Sequence, residues 1–123
     1  MKFIDDPQSI MELLVTKNNE IGIRIDELPE LLENKSIKEK EYSIIFAEIE
    51  LKLKTEGLNV SVLKEITKGT RVVAEAKFKM DVANGIYKIA IAKIENVHDN
   101  IDTLRSFLAW HRRVYVNANM EKQ

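Results

Sequence analysis

Two histidines, twenty carboxylates and no cysteine limit the chemistry open to this chain. Glu95-Asn96-Val97-His98 has the Glu-x-x-His spacing that sets a carboxylate and an imidazole on one helix face, as in di-iron four-helix bundles. Such a centre needs a second motif and two further glutamates. Here it would have to be shared between two copies, with Glu48 or Glu50 as extra ligands. The simpler reading leaves Glu95 and His98 in water, so no metal and no other cofactor are expected. His98 and Asp102 stand four apart and should pair across one helical turn. His111 falls on an apolar seam, where a hydrogen-bonded interface histidine is the ordinary use and a pH-sensitive contact the alternative. Without cysteine there are no disulfides, thiol nucleophiles or sulfur-bound zinc sites. The chain also has no Gly-rich phosphate loop, Gly-x-Ser-x-Gly elbow or His-Glu-x-x-His helix, and an enzyme is not expected.

Phe107-Leu108-Ala109-Trp110-His111-Arg112-Arg113-Val114-Tyr115 is the most distinctive composition, and it holds the single tryptophan. Aromatic rings beside arginines make protein-binding hot spots, which assigns Phe107, Trp110, Arg112, Arg113 and Tyr115 to a partner surface. The same chemistry stacks on single-stranded bases, which would use Arg105, Trp110, Arg112 and Arg113. A purely structural use is the third possibility: Trp110 and Phe107 cover the end of the first helix, and the arginines cap C-terminal carbonyls.

These groups must be positioned by helices. From Val73 the residues Ala76, Met80, Ala83, Tyr87, Ala90, Ile94, Val97, Ile101, Leu104, Leu108, His111 and Tyr115 follow in steps of three and four. That spacing is a coiled-coil seam within one helix over about 70–117. Asn84-Gly85 could turn the chain, but Ala83 and Tyr87 keep the phase across it. Ala76, Ala83 and Ala90 leave room for a bulky neighbouring helix, whereas the second half of the seam is thick and needs a different partner.

Upstream, Asp6-Pro7 predicts a helix start, with Asp6 as the cap. A helix over 7–28 follows; Ile21 to Ile25 alternates as a strand would, but no partner strand exists. Pro29 should break the helix and open a short segment over 29–34. Ser36 to Glu39 has capping-box spacing, which predicts a helix over 36–56 closed by Gly57 and Leu58. Tyr42, Phe46, Ile49 and Leu53 line one side of that helix. Ile37, Ile44 and Leu51 line nearly the opposite one, so both sides need cover. A short helix over 59–68 comes next, capped by Asn59 or Ser61 and ending at Lys68-Gly69, and Thr70 caps the long one.

The whole reads as a single all-α domain, an elongated antiparallel helical bundle or coiled coil, expected as a homodimer. Net charge is −1 but unevenly spread: residues 1–34 hold eight acids and three bases, 35–79 seven and ten, and 80–123 five and six. The acidic first segment should therefore lie along the basic middle, in the same chain or in a second copy. The start of the chain lacks the pattern of a signal peptide, and no apolar run approaches the roughly 18 residues of a membrane span. A cytoplasmic protein is expected.

Several stretches carry a resemblance. They are Leu28-Pro29-Glu30-Leu31-Leu32, the run Leu51 to Gly57, Val62-Leu63-Lys64-Glu65, Lys68-Gly69, the run Val73 to Ala83, Tyr87-Lys88, and Leu108 to Arg113. Over residues 28–115 the chain resembles small helical proteins of unknown function from phages and prophages of low-GC Gram-positive bacteria. These are often encoded beside replication and recombination genes. The resemblance implies that setting and no reaction, and it transfers no site residues. The expected function is that of a non-enzymatic phage accessory protein, which binds a replication, recombination or host-defence protein. Weak single-stranded DNA binding is the alternative.

Overall fold

A computed structural model describes residues 6–121. They form three helices, α1 (Pro7–Thr55), α2 (Val60–Gly69) and α3 (Arg71–Glu121), and the fold is all-α with one long C-terminal helix. The chain divides into two compact units. One is the described part of 1–27 together with that of 91–123, and the other is Leu28–Ala90.

Asp6 starts α1 as expected. Its carboxylate accepts from the Gln8 amide at 3.1 Å and the Ser9 hydroxyl at 3.3 Å, and its carbonyl takes the first helical bond from Ile10. The helix then runs unbroken to Thr55, through Pro29 and through Ser36. This corrects the expected segments 7–28, 29–34 and 36–56. The reason lies in packing: Ile10, Leu14, Lys17, Ile21, Arg24, Leu28, Leu31, Lys35, Lys38, Tyr42, Ile45 and Ile49 repeat in steps of four and three, and all are buried or half-buried. Most helical stability comes from covering such a face, and here it outweighs the local signals to stop. Pro29 itself is exposed, as is Ile25, whose carbonyl loses its helical donor on the side open to water. At the far end Gly57 takes φ 92°, and the Leu58 amide donates to the Leu53 carbonyl at 3.1 Å. This is the glycine-terminated stop expected there.

The Asn59 side chain caps α2 by accepting from the Ser61 amide. On its inner side Leu63 and Thr67 are buried, and the Thr67 hydroxyl donates to the Leu63 carbonyl at 2.7 Å. That bond lets a polar group sit fully enclosed at little cost. One residue, Thr70, then separates α2 from α3. Its carbonyl takes the first bond of α3, from Ala74 at 2.9 Å, while its hydroxyl donates back to Ile66 of α2 at 3.0 Å. Thr70 thus stands at the expected cap position, but its side chain serves the helix behind it.

α3 passes Asn84-Gly85 without interruption and ends at Glu121, beyond the expected 117. Its seam is where the spacing put it. In the unit Leu28–Ala90, Val73, Ala76 and Ala83 are buried; in the other unit, Val97, Ile101 and Leu104 are. Each fully buried aliphatic side chain stabilises by about 2 kcal/mol. Within Leu28–Ala90 the pairing of α1 with α3 is antiparallel, since Lys35 lies over Tyr87 while Lys38 shares a groove with Val82 and Ala83. In the other unit the described residues of 1–27 pack with those of 91–123. Of the acidic first segment, the described residues up to Glu27 thus share a unit with the last part of α3, while residues 28–34 share one with the basic middle, as expected for that part of the segment.

Candidate partner-binding surface

The distinctive stretch lies on α3, past the last buried seam residue. Leu104 is 5% exposed, Leu108 and His111 are half-buried, and Tyr115, the next in phase, is 69% exposed. The seam therefore runs out between His111 and Tyr115. Beside it stands a ridge: Phe107, Trp110 and Val114, exposed by 49%, 54% and 45%, follow in steps of three and four. At about 100° per residue they form one row, turned roughly 100° from the seam. The Trp110 ring meets the half-buried His111 ring edge-on, centroids 5.1 Å apart, which gives the outer ring a support on the packed side.

The same geometry separates the arginines. Arg113, three residues after Trp110, lies on the ridge side. Arg105 and Arg112 are seven apart and share the far flank of the helix. Trp110 thus has Phe107 on one side and Arg113 on the other, the latter two about 120° apart around the helix; Tyr115 lies in line with the seam, and Arg112 points away from Trp110. The nucleic-acid set divides likewise, with Trp110 and Arg113 on one side and Arg105 and Arg112 on the other. Nor do the arginines cap the helix end, as the last turn of α3 holds no basic residue. Val114 belongs to the ridge and was missed; its signal was its place four residues after Trp110.

His98 and Asp102 pair as expected, Nδ1 to Oδ2 at 3.4 Å, with both side chains more than half exposed. With Asp99 they bring three ligand atoms within 4.8 Å of one another. Glu95, the other residue of the Glu-x-x-His spacing, is not in that group. All three groups are exposed, with no packed shell to hold them in a coordinating geometry. In the unit Leu28–Ala90 a groove of about 390 Å³ beside α2 is lined by Glu50, Lys54, Ser61 and Lys64, and Glu50 Oε2 is buried there without a hydrogen-bond partner.

Among the described residues no helix is long and apolar enough to cross a membrane. Compared with protein-family models, with curated proteins and with solved structures, the chain has no match. What its fold defines is a class: an all-α protein in which α1 and α3 run through both compact units.

Proposed function

We propose that this chain is a non-enzymatic binding protein whose α3 ridge, Phe107, Trp110 and Val114 with Arg113 beside it, docks on a protein partner. The observation that carries the reading is the exposure of Trp110 and Phe107, by 54% and 49%, side by side and outside the packed seam. Leaving two large aromatic rings in water is unfavourable, and rings flanked by a guanidinium are the side chains that concentrate binding energy at interfaces. The resemblance to phage-encoded helical proteins supplies the setting, a cytoplasmic partner in phage replication, recombination or host defence.

The test is affinity purification from infected cells with the intact chain and with the Phe107→Ala and Trp110→Ala variants. Each variant should lose the partner while keeping helicity and melting temperature. A fall in melting temperature would mean that the ridge is packing, not a docking surface. Quenching of Trp110 by an oligonucleotide that fades steeply with salt would move the surface to single-stranded nucleic acid.

A further inference from the structure

Behind its packed seam α1 carries a second row with the same period. Ile37, Lys40, Ile44, Ala47, Leu51 and Lys54 follow in steps of three and four, and all six are exposed. The three large aliphatics stand 44%, 47% and 66% in water. A second heptad row on the back of a helix already packed on its front is what a helix shows when another helix covers it. The row lies within the unit Leu28–Ala90. At its far end Lys54 shares a groove with residues of α2, while Leu51 stays exposed.

The row is arranged symmetrically about Ile44. Ile37 and Leu51 each stand seven residues from it, in opposite directions. Lys40 and Glu48 each stand four away, with opposite charges. Farther out Glu33 precedes by eleven residues and Lys54 follows by ten. Among the described residues none of Glu33, Lys40, Glu48 and Lys54 takes part in an ion pair, although four ion pairs form along the same helix.

We propose that this row is the docking surface for a second copy of the chain, α1 against α1 in antiparallel sense with Ile44 on the two-fold axis. A two-fold interface must be complementary to itself, so each apolar group needs an apolar group, and each charge an opposite charge, equally far on the other side of the axis. Ile44 then meets its symmetry mate, Ile37 covers Leu51 of the second copy, Lys40 reaches Glu48, and Lys54 comes within one residue of register with Glu33. Ser43 and Ala47, small residues beside the axis, let the two helices approach. A parallel pairing would set Lys40 against Lys40 and Glu48 against Glu48. The inference does not rest on the α3 ridge, which lies in the other unit.

Sedimentation and light scattering of the full chain should give a dimer at micromolar concentration. Ile44→Glu, which sets two carboxylates against each other on the axis, should leave a monomer of unchanged helicity. Lys40→Glu should weaken association about tenfold or more, and adding Glu48→Lys in the same chain should restore it. Because the chain has no cysteine, Ile44→Cys should cross-link to its own mate, while Val82→Cys, exposed on α3 of the same unit, should not. A monomer throughout, a dimer indifferent to Ile44→Glu and Lys40→Glu, or cross-linking at Val82→Cys alone would each overturn the proposal. If Ile44→Glu fails to fold, the charge-swap pair and the cross-link still decide.

Discussion

Lys35 of α1 holds its ammonium 5.9 Å from the centre of the Tyr87 ring of α3. Among the described residues this is the one charged contact between helices, for every side-chain hydrogen bond and ion pair joins residues at most four positions apart. The same ammonium also meets Glu39 at 2.7 Å, so its hold on the ring is shared. Cohesion between helices must then come from the apolar seams. In a double-mutant cycle Lys35→Met and Tyr87→Leu should couple by about 0.5–1 kcal/mol. Ile101→Ala, at a position 4% exposed, should cost about 2–5 kcal/mol in urea unfolding. A coupling larger than the Ile101→Ala loss would refute the seam as the main source of stability.

Three glycines differ in what they are for. Gly57 alone has positive φ, and nothing lies within 4 Å of a Cβ added there. Gly57→Ala should therefore cost about 1–2 kcal/mol through backbone strain alone. Gly22 and Gly85 sit inside helices with equally open surroundings. Alanine at either should stabilise by about 0.4–1 kcal/mol, since it restricts the unfolded chain and fits the helix. Thermal melts of the three single variants give the signs; a destabilising Gly85→Ala would point to a contact made by a partner.

Pro29 costs α1 a hydrogen bond while its surroundings stay helical. Pro29→Ala should raise stability, by up to about 3 kcal/mol if the helix gains the full bond and loses the ring's clash. Calorimetry of the variant measures the gain. A lower melting temperature would show that a bend at this proline is needed by the packing around it.

Glu20 accepts from Lys17 and Arg24 at 3.3 and 3.2 Å. Those hydrogen bonds, Lys17 first, hold its carboxyl below its ordinary 4.5. The unfolded chain then takes up this proton more readily than the folded one. The stability it contributes is complete above the ordinary value and disappears as pH falls through the lowered one. In an acid titration followed by circular dichroism, Glu20→Gln should flatten the loss of stability just below pH 4.5, and added salt should shrink the difference between the two proteins. Identical acid slopes for variant and parent would sink this assignment.

α3 was legible because its seam is written almost wholly in apolar letters, from Val73 to Leu108, and that row holds its phase through Asn84-Gly85. α1 was read in three pieces for the opposite reason. Four of its seam positions are Lys17, Arg24, Lys35 and Lys38, which are half-buried while their charged ends reach Glu20, Glu39 and Glu41. Basic residues on a hydrophobic seam hide its period from any reading that counts only apolar side chains. With the period hidden, Pro29 and the capping box at Ser36 looked decisive. On the surface, Phe107 and Trp110 could be placed from composition. Arg112 and Arg113 could be told apart only by counting turns, since neighbours in sequence point about 100° apart.

Both long helices keep an uninterrupted three-four count, and only Thr70 stands between α2 and α3. Adding one residue within α3 would rotate all that follows by about 100° and turn Val97, Ile101 and Leu104 outward. Seven residues would return almost to the starting angle. Lengths in α3 are thus constrained: an insertion keeps the buried row in phase only when it comes close to a whole number of turns, as seven residues do.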